Sequence, residues 1–307
     1  MAGKQLRLFL VDGTAGGLIT AEIVNWTGHV LKGAREKLLE IRSRPEARRT
    51  GVYILLGDNE ETGGRMAYIG QSDDVSKRLL NHDAGKDFWS EVVVITSKDM
   101  NLTSAHVRFL EARLIQLANS IRRVPLENGN TPTGGAELPE ADASDMQYFI
   151  DQLRVVLPVL GVDIFRGRAA GDGYSADATF PPSPTPVESP VFLLRNKSGV
   201  DARAQVVDGE FTVLAGSRVV ASMPDRGGYN TNSARQYELR QRQHAQLLAD
   251  GSIEAGPGVV GTLTRDVVFT SPSAAGAVSL GVVSVNGRTA WVAEGSGTTY
   301  AEWEQLA

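Results

Sequence analysis

Apolar and polar positions along the chain fall into short runs that each fix a local structure. Residues 5–11 and 19–26 alternate or run apolar around the turn DGTAGG and predict a β-hairpin. GAREKLLEIRSR (33–44) then predicts a short helix. From Gly51, VYILL predicts a strand, GDNEETGG (57–64) a polar glycine-rich loop, and RMAYIG a second strand. A helix capped at Ser72 or Asp73 follows, and WSEVVVITS (89–97) predicts a third strand. Thr103 caps a long helix, SAHVRFLEARLIQLANSI, whose Val107, Leu110, Leu114 and Ala118 share one stripe. NGNTPTGG reads as a loop, and DASDMQYFIDQLRVVL (142–157) as a further helix.

The pattern changes at GRAAGDGYSADATFPPSPTPVESP (167–190), where five prolines lie among small and polar residues, the composition of a linker. Beyond it VFLLRN, ARAQVV, FTVLAGS and VVAS predict strands, and SARQYELRQRQHAQLLADG a helix. DVVFTSPSAAGAVSLG predicts a strand leading into a small-residue helix, with Ser271 and Ser273 either facing an anion at its N-terminus or acting as plain caps. VVSVNGRTAWVAEG predicts a closing hairpin on its Asn286-Gly287 turn, with Trp291 and Trp303 in the core. The expected organisation is a β lead-in (1–50), a first domain (51–166), a linker (167–190) and a small domain (191–307), α+β throughout.

Composition narrows the chemistry. At 307 residues, 42% apolar and 22% charged, the chain has ample material for packed cores. It has no cysteine, which excludes disulfides, thiolate zinc sites and a cysteine nucleophile, and which fits a reducing cytoplasm. The apolar run Leu8 to Val11 is cut short by Asp12 and reads as a strand, not a signal peptide. No run approaches the roughly 18–20 apolar residues of a membrane span, so no membrane partner is expected. The net charge of −5 is uneven: residues 1–130 carry +2 and residues 131–307 carry −7. That asymmetry permits a phosphate-binding face in the first half and points to recognition or regulation in the second.

One constellation stands out. GVY at 51–53, YIG at 68–70, Arg78 on the next helix, Glu111 within a later helix and Asn128 after it follow in order. In that order and at those separations they resemble the GIY-YIG nuclease superfamily, over residues 51 to about 130. Fourteen residues separate the two tripeptides, more than the short loop of the family, and the excess falls in GDNEETGG at a hairpin tip. The resemblance implies a small three-stranded sheet flanked by helices and an endonuclease that hydrolyses DNA phosphodiesters with Mg²⁺, or Mn²⁺ in its place. It makes Glu111 the metal carboxylate, and Tyr53, Tyr68, Arg78, His82 and Asn128 the catalytic set. Gly70 and Lys77 line the substrate, and Asn130 competes with Asn128. Residues 269–303, with the preceding DARAQVVDGEFTVLAGSRV, resemble an uncharacterised small domain that follows such modules in bacterial proteins.

The residue types suit that chemistry. Phosphodiester hydrolysis needs a positioned water, a proton acceptor, and positive charge where the phosphorus collects negative charge. Arg78 and His82, at i and i+4, share one helix face and can address one phosphate. Glu111 lies on or beside an apolar stripe, where a carboxylate is costly without a cation. One Mg²⁺ held by that carboxylate, waters and phosphate would satisfy it. A phenol's usual pKa of about 10 makes it a poor base alone, so its surroundings must share the proton transfer. The favoured arrangement has Tyr53 as base, helped by His82, with Tyr68 orienting water or phosphate; the reverse assignment stays open. Each residue also has a bland reading: strand tyrosines as core, Arg78 and His82 as a solvated face, Glu111 paired with Arg108 or Arg113, and His29 and His106 as structural or surface residues. A fold-retaining DNA-binding or scaffold protein without turnover is the rival function.

Overall fold

The computed structural model describes residues 3–59, 64–129, 137–168, 189–223, 231–256 and 258–306. Most of the expected linker, Asn130 and the tip of the 57–64 loop lie outside the described residues. The remainder is α+β and divides into two compact units, residues 3–168 and 189–306. Among the described residues no helix is long and apolar enough to cross a membrane.

The first unit runs β1 (Leu6–Leu10), β2 (Ile19–Ile23), β3 (Gly28–Ala34), a 3₁₀ turn, α1 (Leu38–Ser43), β4 (Gly51–Asp58), β5 (Arg65–Ser72), α2 (Val75–Gly85), β6 (Trp89–Ser97), α3 (Ser104–Ile121) and α4 (Glu140–Val159). The expected three-stranded sheet is larger. Its strands β6, β4 and β5 continue through β3 into the lead-in hairpin, giving one antiparallel sheet ordered β1-β2-β3-β6-β4-β5. The missing link is β3, GHVLKGA, whose flanking glycines and Lys32 hide its alternation. Lys32 is accommodated because its Nζ reaches Glu91 at 3.0 Å and donates to the Leu160 carbonyl at 3.0 Å.

Alternation on the central strands divides the interior. Val52, Ile54 and Leu56 of β4, with Val93 and Ile95 of β6, join Val107, Leu110, Leu114 and Ala118 of α3 in one buried cluster, as the helical stripe requires. Tyr53 and Leu55, with Val92 and Val94, face the opposite way into a second cluster with Leu38, Ile41, Val75 and Leu79. Each fully buried aliphatic side chain contributes about 1.5–3 kcal/mol through the apolar area it removes from water. Period-two alternation thus assigns Tyr53 to the α1–α2 side, and β5 is left at the sheet edge.

The second unit comprises β7 (Phe192–Arg195), β8 (Asp201–Val207), β9 (Glu210–Val213), β10 (Arg218–Val220), α5 (Thr231–Ala249), β11 (Ile253–Ala255), β12 (Val260–Leu263), β13 (Val267–Phe269), α6 (Pro272–Leu280), α7 (Gly287–Ala290), β14 (Val292–Ala293) and α8 (Tyr300–Leu306). Its sheet is ordered β11-β12-β10-β8-β7-β14, with β9 paired to β8 and β13. Phe192, Phe211 and Trp291 are buried at the centre, and Trp303 packs against them.

The expected hairpin on Asn286-Gly287 does not form. Asn286 caps α7, its side chain accepting from the Arg288 N–H at 3.2 Å, and β14 pairs with β7 instead. Tertiary contact overrides the local turn signal: a Cβ on Gly287 would stand 2.2 Å from the Pro272 carbonyl carbon, so only glycine fits against α6. The Gly287 N–H donates to Ser273 Oγ at 3.0 Å, and Ser271 caps α6 by accepting from Ala274, so both serines serve as internal caps.

Candidate active site

The start of β4, the end of β5, α2 and α3 converge at the sheet edge. The α2 helix begins one residue later than the sequence suggests, capped by Asp74, whose carboxylate accepts from the Lys77 N–H. Ser72 braces that cap by accepting from the Asp74 N–H at 3.1 Å. At the other end Arg35 fixes the helix, donating to the Asp83 carboxylate and to the carbonyls of Asp83 and Lys86 while lying 4.7 Å from the Trp89 ring.

Held this way, α2 sets His82 under the sheet. The Tyr53 hydroxyl and His82 Nε2 are 2.7 Å apart in a buried hydrogen bond. Tyr68 completes an aromatic triangle, its ring centroid 5.0 Å from His82 and 6.2 Å from Tyr53. Arg78, one turn earlier and solvent-exposed, lies beside both phenols, which hold its guanidinium above its usual pKa. Burial pushes the Tyr53 phenol well above its ordinary value; the neighbouring Tyr68 adds to this, and Arg78 opposes it. His82 goes the other way, to about 4, first through burial and then through the cations Arg78 and Lys86, with Glu127 in opposition. The imidazole is therefore neutral at physiological pH, with one ring nitrogen free to accept a proton.

The edge strand β5 explains the remaining members. An edge strand exposes outward N–H and C=O groups that need partners. The Ala67 N–H donates to the Pro125 carbonyl at 3.0 Å and its carbonyl accepts from the Glu127 N–H at 2.8 Å. Asn128 then acts as a strand substitute: its Oδ1 accepts from the Ile69 N–H at 3.0 Å and its Nδ2 donates to the Ile69 carbonyl at 2.7 Å. The third outward amide, Gln71, donates to Glu111. Burial raises the Glu111 pKa, while that amide and Arg78 lower it. The cation acting on Glu111 is thus Arg78, whereas Arg113 donates to Gln116 and stands 5.9 Å from the Phe109 ring.

Tyr53, Tyr68, Arg78, His82 and Glu111 are therefore brought together. Asn128 joins them with both amide atoms committed to backbone, as a positioning residue. The space a Gly70 side chain would fill holds Tyr53, whose hydroxyl would be 2.3 Å from a Cβ there, so packing alone already requires glycine at this point of β5. Lys77 stands apart, largely exposed and paired with Asp74 at 3.1 Å. His106 belongs to the α3 capping box, and His29 sits 2.9 Å from Glu22, away from this cluster. Sequence reasoning missed Lys86 and Glu127, which form an ion pair beside Tyr68. Their available signal was the spacing of Arg78, His82 and Lys86, four residues apart on one face.

Among the described residues no group of three or more His, Asp or Glu side chains is disposed to hold a metal. Glu111 offers a single half-buried carboxylate, a donor set that suits Mg²⁺ or Mn²⁺ completed by waters and phosphate oxygens.

A family model described as a domain of unknown function (DUF4357) matches residues 192–304, within the second unit. No curated protein and no solved structure matches the chain. The acidic excess expected of the second unit lies largely outside it: residues 131–190 carry −6 and residues 191–307 only −1.

Proposed function

We propose that the first unit is a metal-dependent endonuclease of the GIY-YIG type that hydrolyses DNA phosphodiesters at the Tyr53–His82–Arg78 cluster. The observation that carries this reading is the 2.7 Å contact between a buried phenol and a neutral imidazole, beside an exposed arginine and across the sheet edge from a half-buried carboxylate. Arg78 presents a planar fork to one phosphate and stabilises charge that grows on it. A bound Mg²⁺ at Glu111 would add Lewis-acid polarisation and a more acidic water.

The proton path follows from the two displaced pKa values. Tyr53 is no phenolate at neutral pH, so it takes the water proton only as it gives its own to His82 Nε2. His82 at about 4 is a weak acceptor, through burial first and then through the positive field of Arg78 and Lys86. A phosphate on Arg78 offsets that positive field and raises the basicity of His82 when substrate is in place. Tyr68 is left to orient the water or a phosphate oxygen. A cysteine-free chain acting on DNA fits the reducing cytoplasm.

The test is an assay of the purified chain on supercoiled, single-stranded and branched DNA, with and without Mg²⁺. Glu111→Ala is expected to abolish cleavage while DNA binding persists or tightens. Cleavage by that variant at near the unmodified rate removes the metal assignment.

A further inference from the structure

We propose that Lys86 and Glu127 form a clamp that holds Tyr68 against His82, making both of them positioning residues for the Tyr53–His82 pair. The relevance to turnover rests on the nuclease reading, whereas the clamp itself stands on geometry alone. Lys86 follows the last residue of α2, and its N–H donates to the His82 carbonyl at 2.9 Å, so the backbone at that point is fixed to the residue it serves. Its Nζ lies 4.5 Å from the centroid of the Tyr68 ring and pairs with the Glu127 carboxylate. Glu127 is anchored in turn: its N–H bonds Ala67, and the next residue, Asn128, straps Ile69 from both sides.

Tyr68 thus sits between a cation on one face and the His82 ring 5.0 Å away. Neither charged group is a free surface side chain, since Lys86 keeps 21% and Glu127 32% of side-chain exposure. A cation over an aromatic face is attracted to the ring quadrupole, and the attraction grows as the pair loses water. The groups facing His82 are Tyr53 from β4, Tyr68 from β5, Arg78 and Lys86 from α2 and its end, and Glu127 from the segment beyond α3. Lys86 and Glu127 act on its protonation with opposite signs, which gives the clamp a signature that plain structural support lacks.

The experiment follows the four histidines of the full chain by NMR pH titration, in the unmodified protein and in Lys86→Met, Glu127→Gln and Lys86→Arg. Lys86→Met is expected to move the His82 midpoint up and Glu127→Gln to move it down, with Lys86→Arg close to the unmodified chain. With Mg²⁺ and DNA, Lys86→Met is expected to lower kcat about tenfold or more with little change in KM, and Lys86→Arg to restore it. A His82 midpoint that is the same in all the variants overturns the clamp. If Lys86→Met fails to fold, Glu127→Gln decides alone, its downward shift supporting the clamp and an unmoved midpoint overturning it. Opposite shifts in a chain that cleaves no DNA support the clamp and defeat the nuclease reading, so the two failures are distinct.

Discussion

Gly70→Ala adds one methyl group where Tyr53 already lies. The new Cβ would stand 2.3 Å from the Tyr53 hydroxyl oxygen, 2.5 Å from its Cζ and 3.0 Å from Tyr68 Cε1. Non-bonded carbons rest at about 3.5–4.0 Å, so the ring must retreat by roughly 1 Å or more. Tyr53 has no room to do so, being fully buried with its hydroxyl tied to His82. Overpacking of this kind costs about 1–3 kcal/mol. Loss of the buried phenol–imidazole bond adds about 1–3 kcal/mol. The expected destabilisation is therefore about 2–6 kcal/mol, a fall of roughly 4–24 °C in Tm for a unit of this size. Urea unfolding followed by fluorescence of Trp26 and Trp89 measures it. Gly85→Ala is the control: nothing lies within 4 Å of its Cβ, and it should be neutral or stabilise by up to about 1 kcal/mol. Adding Tyr53→Phe to Gly70→Ala removes the 2.3 Å contact and should recover part of the loss. Stability of Gly70→Ala within about 0.5 kcal/mol of the unmodified chain would refute the packing argument.

Arg78→Lys keeps a cation but loses the planar fork, and kcat should fall by about two orders of magnitude with DNA affinity little changed; full-speed cleavage returns Arg78 to a solvated face. His82 is held at about 4 in the fold against 6.5 unfolded, so the unfolded chain takes up its proton first as pH falls. Its contribution, about 3 kcal/mol, is fully present above pH 6.5 and lost as pH falls through about 4. Denaturant midpoints for the unmodified chain and His82→Ala should converge over that window, and parallel curves would contradict the burial argument. The free enzyme's rate should then show no His82 limb between about pH 6 and 7.5. Asn128→Ala leaves both backbone groups of Ile69 without partners and should cost about 1–3 kcal/mol, read as faster amide exchange at Ile69 than at its buried neighbour Ile54.

Much of the first unit was legible because its signals are local. The strands at 51–58, 65–72 and 89–97 and the α3 stripe follow from alternation and helical period, and each is centred on residues that are fully buried. What escaped was decided by distant partners. Lys32 looks unlike a strand residue until Glu91 and the Leu160 carbonyl are beside it, and Asn286-Gly287 looks like a hairpin turn until Pro272 occupies the space a side chain would need. The same holds for His82: its spacing from Arg78 is readable, whereas its displacement to about 4 comes first from burial under the sheet, then from Arg78 and Lys86, against the opposing pull of Glu127 beyond α3.

That distinction bears on which residues can decide between a nuclease and a fold-retaining scaffold. Glu111 and Asn128 both satisfy outward backbone groups of β5, one at Gln71 and the other at Ile69. Gly70 is required by the bulk of Tyr53. A protein with no chemistry to perform would still need these three to keep its edge strand covered and its core packed. Arg78 and His82 differ. Among the described residues the His82 side chain bonds only the Tyr53 hydroxyl, and the Arg78 guanidinium lies exposed beside two phenols. An exposed arginine aimed at a buried, neutral phenol–imidazole pair does little for stability, since a solvent-screened charge contributes at most about 1 kcal/mol. Under the proposed nuclease function its placement suits an anion that arrives from outside, so the arginine, more than the glutamate and asparagine, carries the case for catalysis.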